Sequence, residues 1–262
     1  MTELATLKVE EPQPHTRLVT LHRPEAANAM NTRMGIELLS VFDGFNAAPG
    51  AQRCIVITGA GPRIFCAGGD LKERNGMTDQ QWQDQHLIFE RAIRAIIQCP
   101  VPVIAAVNGA AIAGGCGLAT LCDFTLAARE AKYGYTEVKI GFIPAVVSVY
   151  LARQIGEKRA RDLLLSGRIV DAQEAFTLGL VTAVVAPESL IGRAQELAAT
   201  LAGSSPSSLA HTKRLLIAGA VEEVDREIDS AIAASAAVRE TSDFREGVAA
   251  FLEKRAPRWT GH

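Results

Sequence analysis

The stretch CIVITGAGPRIFCAGGD occupies residues 54–70, and VPVIAAVNGAAIAGGCGLATLCD follows it at residues 101–123. Each begins with a short apolar run that ends near a glycine, which is typical of a buried strand. A glycine-rich loop comes next in both, and the second loop leads into a helix. Between them, residues 79–98 carry apolar side chains at helical spacing and end at prolines. This alternation predicts parallel strands joined by crossover connections, which is an α/β fold.

The segments on either side extend the same pattern. Residues 4–10 and 17–23 show the short apolar alternation of a β-hairpin. A helix is predicted from residue 32, with Asn31 or Thr32 as its N-cap and the Pro49–Gly50 pair as its end. After Pro144 the pattern is almost entirely helical, apart from a strand-like LVTAVV. The sequence therefore predicts an α/β core of about 200 residues followed by a helical tail.

Composition narrows the classes of protein that the chain can represent. Of its 262 residues, 48% are apolar and 21% charged, which excludes wholesale disorder. The net charge of −2 gives no global basic field for nucleic acid or an anionic membrane. Five scattered cysteines show neither a CxxC pair nor zinc-ligand spacing, and the N-terminus has no apolar leader. We predict a cytoplasmic protein with reduced thiols, no metal, no nucleic-acid partner and no membrane partner.

The two glycine-rich loops are the first candidates for chemistry. Glycine allows positive φ and lets a ligand approach the backbone closely. Two backbone N–H groups aimed at one oxygen would form an oxyanion hole without any side chain. Tight turns and close helix–sheet packing explain such glycines equally well. Neither loop has the GxGxxG spacing of a dinucleotide site.

Glu137 is the leading acid–base candidate, because it lies among apolar and small residues where burial would raise its pKa. Pairing with Lys132 or Lys139 at a surface turn is the alternative. Asp123 fits either a buried acid or a structural anchor for a turn. Cys66 is expected, with Cys116, to be apolar filler rather than a nucleophile. Four histidines lack a Ser or Cys partner pattern and are predicted at the surface or an interface: His15, His22, His86 and His211.

Five motifs together resemble the crotonase superfamily, the enoyl-CoA hydratase/isomerase family, and they occur in its order over residues 5–255. They are HRPEAANAMN, FCAGGDLKE, VNGAAIAGGCGLATLCD, YTEVKIGFIP and REGVAAFLEKR. The resemblance implies a crotonase-like ββα spiral core over residues 1–200, which binds acyl-CoA and carries catalysis. It implies a C-terminal helical trimerisation region over residues 201–262, a homotrimer or dimer of trimers, and no cofactor beyond the coenzyme A of the thioester substrate.

The resemblance also implies roles for individual residues. The N–H groups of Gly69 and Gly114 would stabilise the thioester oxygen as it becomes enolate-like, and Glu137 would be the general acid/base. The remaining residues implied to contact acyl-CoA are Glu25, Ala26, Ala27, Ala29, Arg63, Ala67, Asp70, Leu71, Gly117, Phe251 and Lys254.

One departure from the family pattern leaves the reaction open. Gly117, 20 residues before Glu137, stands where two-glutamate hydratases carry their first glutamate. Three alternatives remain open. The chain could be a hydratase in which Glu137 both activates water and gives a proton to the α-carbon, or a Δ3/Δ2 isomerase in which one carboxylate moves a proton along the acyl chain. It could also be an acyl-CoA-binding homologue without hydratase chemistry. The GGxGL, TEVKxGxIPA and SxY patterns resemble bacterial methylglutaconyl-CoA hydratases, associated with leucine degradation. That likeness makes Ser148 and Tyr150 candidates near the acyl pocket, with helix capping or core packing as the alternative.

Overall fold

The computed structural model describes residues 4–48 and 50–262, within which ten strands and ten α-helices form. The strands are β1 Leu7–Gln13, β2 Thr16–Leu21, β3 Cys54–Gly59, β4 Ile64–Cys66, β5 Val103–Val107, β6 Ala110–Ile112, β7 Phe124–Ala128, β8 Lys132–Gly134, β9 Ile169–Asp171 and β10 Ala183–Val185. The helices are α1 Thr32–Ala47, α2 Leu71–Asn75, α3 Asp79–Ile97, α4 Gly114–Thr120, α5 Ala145–Ile155, α6 Glu157–Ser166, α7 Ala172–Leu178, α8 Leu190–Ala202, α9 Pro206–Arg239 and α10 Ser242–Glu253. Short 3₁₀ turns form at Pro24–Ala26, Glu137–Ile140 and Pro187–Ser189.

The larger sheet has the strand order β1-β2-β3-β5-β7-β10. β1 and β2 form the expected antiparallel hairpin, and the other neighbouring pairs are parallel. Both faces of the sheet are covered, so its central strands are mostly apolar, with buried threonines at Thr58 and Thr125. In β3, Ile55 and Ile57 face one core cluster, whereas Cys54 and Val56 face another that contains α8. The predicted α/β fold with crossover connections is confirmed.

The helix starts follow local side-chain chemistry. The Asn31 side chain accepts a hydrogen bond from the Met34 N–H and so caps α1, which settles the choice between Asn31 and Thr32. Thr78 forms a capping box with Gln81 at the start of α3. The predicted end of α1 at Pro49–Gly50 falls partly outside the described residues, and α1 itself ends at Ala47.

A second, smaller sheet does not follow from the sequence pattern. It has the order β4-β6-β8-β9, and its strands are three residues long. β8 lies in AKYGY, residues 131–135, which has a strand-like pattern, whereas β4, β6 and β9 come from segments interpreted as glycine-rich loops or helix. β4 and β6 are parallel, as are β6 and β8, whereas β8 and β9 are antiparallel. Strands this short leave no alternation to detect. The strand-like LVTAVV also shortens to Ala183–Val185.

The C-terminal segment consists of α9 and α10, as the helical pattern predicted. A division into a core of residues 1–200 and a region of residues 201–262 stays a prediction. Among the residues that the structure describes, none of the helices is both long and apolar enough to span a membrane.

Candidate active site

The first glycine-rich loop follows β4 and leads into α2. Gly68 has φ of 90°, which favours glycine, and Asp70 caps α2 by accepting hydrogen bonds from the N–H groups of Lys72 and Glu73. Asp70 also pairs with Arg23 at 2.9 Å. Met30 bridges the loop by donating to Gly68 O and accepting from the Asp70 N–H. Neither hydrogen bond of this parallel bridge involves the Gly69 N–H.

The second loop connects β6 to α4 and packs directly on the first. A Cβ on Gly115 would lie 2.2 Å from Cys66 O, so only glycine allows the two loops to approach this closely. Ala113 has φ of 49° and ψ of −125°, a conformation that costs about 1–3 kcal/mol in a non-glycine residue. Gly114 is the first residue of α4, where a backbone N–H has no partner within the helix. The fold thus maintains local strain at this loop.

The N–H groups of Gly69 and Gly114 come close together as a result. Gly69 N lies 4.0 Å from the Cβ position of Gly114, and Gly114 N lies 3.2 Å from the Cβ position of Gly68. Among the described residues, neither N–H donates a hydrogen bond outside the regular elements. This pair of closely spaced donors has the composition of an oxyanion hole.

Glu137 begins the 3₁₀ turn that follows β8 and is only 7% exposed. Its Oε2 has no hydrogen-bond partner among the described residues, and its carboxyl makes no ion pair with Lys132 or Lys139 there. Burial raises the pKa of Glu137 to about 7, opposed in part by its own backbone N–H and by the charge on Arg74. A carboxyl poised near neutral pH can both accept and donate a proton.

These groups share one cavity of about 310 Å³. Gly69, Gly114 and Glu137 line it, and most of the rest of its wall is apolar. The apolar wall includes Met30, Leu38, Leu71, Phe89, Ile93, Ile96, Leu118, Ile140, Phe142 and Val147. Glu137 is the one carboxylate among the described residues that line this cavity. We call this cavity the acyl pocket.

Gly117 also lines the acyl pocket, and Val147 occupies the space beside it. A Cβ on Gly117 would lie 2.5 Å from Val147 Cγ2, so a larger residue requires Val147 to move. Val147 is part of α5, in the segment that includes Ser148 and Tyr150. Neither of those two lines the pocket, and the Ser148 hydroxyl donates to Ala145 O within the helix. Val147 therefore contributes to the pocket wall in their place.

Sequence reasoning missed four polar residues that line the pocket, namely Arg74, His86, Thr136 and Ser235. Arg74 follows Asp70 by one helical turn, and its guanidinium lies against Gly69, with Cζ 2.6 Å from the Cβ position of that glycine. His86 is half-buried rather than exposed at the surface, because its Nε2 is buried and its ring stacks on Trp82. Its alternative assignment to an interface stays a prediction. Burial, with the charges on Arg74 and Arg239, lowers the pKa of His86 to about 4. The one-turn spacing from Asp70 was the available signal for Arg74.

The other implied acyl-CoA residues divide into two groups. Those that line the acyl pocket are Ala67, Gly69, Leu71, Gly114, Gly117 and Phe251. Those that lie outside its lining are Glu25, Ala26, Ala27, Ala29, Arg63, Asp70 and Lys254, of which Glu25, Arg63 and Lys254 are exposed. The assignment of the second group to coenzyme A stays a prediction.

Three further candidates from the sequence have structural roles. Asp123 Oδ2 accepts from the Val103 N–H at 2.8 Å and from Lys213 Nζ at 2.6 Å, so Asp123 anchors a turn. Cys66 and Cys116 are buried, and burial raises the pKa of each thiol to about 12, as befits packing rather than nucleophilic chemistry. Within the described part of the chain, acidic, His and Cys side chains form no cluster that could hold a metal ion.

Comparison with known proteins assigns this chain and its fold to a class of enzymes. A family model described as "Enoyl-CoA hydratase/isomerase" matches residues 14–262. A putative enoyl-CoA hydratase of Thermus thermophilus is 42% identical over 96% of this chain and 100% of its own length. A crotonyl-CoA hydratase of Syntrophomonas wolfei is 33% identical over 94% of both chains. The crystal structure of an enoyl-CoA hydratase/isomerase from Pseudoalteromonas atlantica T6c superposes with a TM-score of 0.88 at 31% identity, covering 98% and 100% of the two chains.

The chain is therefore an enzyme of the enoyl-CoA hydratase/isomerase family, with the crotonase fold. An acyl-CoA thioester as substrate fits this membership.

Proposed function

We propose that this protein adds water reversibly to the double bond of a 2-enoyl-CoA, with Glu137 as its sole carboxylate catalyst. The observation that supports this most directly is the acyl pocket. It brings together the Gly69 and Gly114 N–H groups and a buried carboxyl whose pKa is about 7. These are the groups that enolate formation and proton transfer require.

The proposed reaction proceeds in two steps. The thioester oxygen accepts hydrogen bonds from the Gly69 and Gly114 N–H groups, which stabilises negative charge as it develops there. Ionised Glu137 removes a proton from water as the water oxygen bonds to the β-carbon, and the alkene electrons move toward the thioester oxygen. Glu137 then returns its proton to the α-carbon, so that the net change is the addition of one water.

The acyl group is proposed to be short and branched, of the methylglutaconyl type. The support is the likeness of the GGxGL, TEVKxGxIPA and SxY patterns to that branch, together with Gly117 in place of a first glutamate. Coenzyme A would follow the groove outside the pocket, past Ala26, Ala27 and Ala29, and Arg63 and Lys254 would form a basic lip for its phosphates. A role in leucine degradation would follow from this substrate.

A second function is favoured by the presence of only one pocket carboxylate among the described residues. Isomerisation of a 3-enoyl-CoA to a 2-enoyl-CoA needs one base that removes a proton from one carbon and returns it to another. Glu137 could serve as that shuttle. A third possibility is an acyl-CoA-binding protein without turnover. The pKa of about 7 at Glu137, which suits proton transfer, argues against it.

We also propose a homotrimer or dimer of trimers, assembled through residues 201–262 and located in the cytoplasm. Leu215 and Leu216 expose most of their side chains on α9, as expected of a surface covered by another subunit. The proposed catalysis proceeds without a metal or a further cofactor.

Three thioesters distinguish the proposed functions. The protein is incubated with crotonyl-CoA, 3-methylglutaconyl-CoA and a 3-enoyl-CoA, and thioester absorbance and product mass are followed. A mass gain of one water supports hydration, and a shifted double bond at constant mass supports isomerisation. Binding without turnover of any of the three would refute both enzymatic proposals.

A further inference from the structure

Three side chains of the acyl pocket each carry a buried polar atom that has no hydrogen-bond partner among the described residues. These atoms are Glu137 Oε2, His86 Nε2 and Ser235 Oγ. Ser235 has no exposed surface at all. An unpartnered buried polar group is costly, and in a native protein it marks a place where a bound water or ligand supplies the missing partner. Three such atoms in one mostly apolar cavity indicate a polar ligand there.

Helices α3 and α9 bring His86 and Ser235 to the same part of the pocket. The Arg239 guanidinium of α9 lies over the Trp82 ring of α3, with Cζ 4.4 Å from the ring centroid. His86 follows Trp82 by one turn of α3. Ser235 precedes Arg239 by one turn of α9. Because both residues line the acyl pocket, they extend into it from a single contact between the two helices.

The turn that carries Glu137 packs against the same helix contact. The Phe142 N–H donates to Glu137 O at 3.0 Å, and the Phe142 ring packs edge-on against Trp82 with the ring centroids 5.7 Å apart. On its other side, Trp82 stacks on His86 with the rings 5.0 Å apart. Glu137 and His86 are thus linked through two aromatic side chains and line one cavity.

A water that attacks the β-carbon needs more partners than Glu137 alone. In the proposed reaction, Glu137 takes one water hydrogen, and one lone pair points at the β-carbon. The second hydrogen needs an acceptor and the second lone pair needs a donor, since a buried water makes about three hydrogen bonds. Arg74 offers donors only. The pKa of His86 is about 4, so its ring is neutral at pH 7 and keeps one acceptor nitrogen, and the Ser235 hydroxyl both donates and accepts.

We propose that His86 and Ser235 hold the water that adds to the 2-enoyl-CoA. The water donates its second hydrogen to His86 Nε2, with the ring proton on Nδ1, and the Ser235 hydroxyl donates to the water oxygen. This inference rests on the proposed hydration. It assigns to two positioning residues the hydrogen bonds to water for which Gly117 offers no side chain. Glu137 still makes both proton transfers, and no proton passes through His86 or Ser235.

Exchange at the α-carbon of a saturated thioester separates water positioning from the rest of catalysis. With butyryl-CoA in D₂O, Glu137 and the oxyanion hole can replace an α-hydrogen by deuterium without adding water to any bond. We expect His86→Phe, which retains a flat ring beside Trp82, to lower kcat for crotonyl-CoA hydration about 10- to 100-fold. Its KM for crotonyl-CoA and its exchange rate with butyryl-CoA should stay within about threefold of wild type. Ser235→Ala should behave in the same way.

Matched variants show whether the effect belongs to the hydrogen bonds. His86→Gln should recover part of the hydration rate, because its amide can still bond to water. Ser230→Ala, at an exposed serine of α9, should change neither hydration nor exchange. If His86→Phe and Ser235→Ala lose exchange in parallel with hydration, the inference is overturned, because they then act on the pocket as a whole. A variant that hydrates at the wild-type rate removes its residue from the water site.

A crystal structure of the wild-type protein with butyryl-CoA tests the water site without any hydration. We expect an ordered water within about 3.2 Å of Glu137 Oε2, His86 Nε2 and Ser235 Oγ. No water at that place, or a water that contacts neither His86 nor Ser235, would overturn the inference without any variant. If this water is present but the wild-type protein hydrates no enoyl-CoA, the proposed reaction is refuted and the water site stands.

Discussion

Replacing Glu137 with glutamine should stabilise the protein at alkaline pH while abolishing hydration. Glu137 has a pKa near 7 in the folded protein because of burial, against 4.5 as its ordinary value. The folded state therefore holds this proton more tightly than the unfolded state. Stability from this group is fully present below pH 4.5 and is lost as the pH rises through about 7. At 1.36 kcal/mol per pH unit, the loss amounts to about 3 kcal/mol.

Glutamine has a similar shape and does not titrate, so Glu137→Gln should escape that loss. We expect the two proteins to have nearly equal free energies of unfolding at pH 4.5, and the variant to be about 3 kcal/mol more stable at pH 8.5. Urea unfolding at fixed protein concentration measures the difference, because association would otherwise shift the apparent stability. Glu130→Gln, at an exposed carboxylate, controls for the substitution itself.

The direction in which the stability difference changes with pH shows which protonation state of Glu137 the folded protein favours. If the difference between wild type and Glu137→Gln does not change with pH, burial does not govern the Glu137 pKa. If wild type instead becomes relatively more stable as the pH rises, the folded protein holds Glu137 as a stabilised anion, and its assignment as a poised acid/base is wrong. Turnover of crotonyl-CoA that survives in the variant would also contradict that assignment.

Three further predictions concern the same region. First, kcat/KM for hydration should rise as the pH increases through about 7, since Glu137 must be ionised to accept the proton from water; a profile flat from pH 5 to 9 would contradict this. Second, the double variant Gly117→Glu with Val147→Ala should hydrate crotonyl-CoA at least about tenfold faster than Val147→Ala alone, because alanine at position 147 makes room for a second carboxylate. The matched control is Gly117→Gln with Val147→Ala. Equal hydration rates for the glutamate and glutamine double variants would refute the reasoning. Third, Gly115→Ala should lower the free energy of unfolding by about 3 kcal/mol or more, because its Cβ would meet Cys66 O. Gly192→Ala, in open space on α8, should instead raise the free energy of unfolding by up to about 1 kcal/mol. Equal effects of the two substitutions would contradict the close approach of Gly115 to Cys66.

Local signals account for what the sequence could predict of the fold. The uninterrupted apolar run at Cys54–Gly59 indicated a strand covered on both faces, and the structure places alternate residues of that strand in two cores. Asn31 could be identified as one of two N-cap candidates because a cap acts on the next three residues. β4, β6 and β9 of the four-stranded sheet gave no such signal, since these strands are three residues long and are defined only by partners far along the chain.

The candidate site likewise contains residues that the local sequence could indicate and residues that only the tertiary fold brings together. Glu137 could be proposed from its apolar neighbours, because burial was implied by the local sequence. His86 could not, because its environment comes from Trp82 on its own helix together with charges on α2 and α9, which only the tertiary fold brings together. The lack of an ion-pair partner for Arg74 within the described residues is likewise a property of packing: nearby carboxylates exist in the sequence, but the fold directs them elsewhere.

In the proposed mechanism, Gly117 and Val147 complete the wall of a pocket that works with a single carboxylate. Were Gly117 simply a deletion of a side chain, it would leave a void beside the oxyanion hole, and water would enter and screen Glu137. Instead, Val147 Cγ2 occupies the place where a side chain at position 117 would begin. The apolar contact fills that part of the pocket wall, and burial is what raises the Glu137 pKa to about 7 from its ordinary value of 4.5. In the proposed mechanism, a glycine at position 117 thus fits a pocket in which Glu137 alone makes both proton transfers.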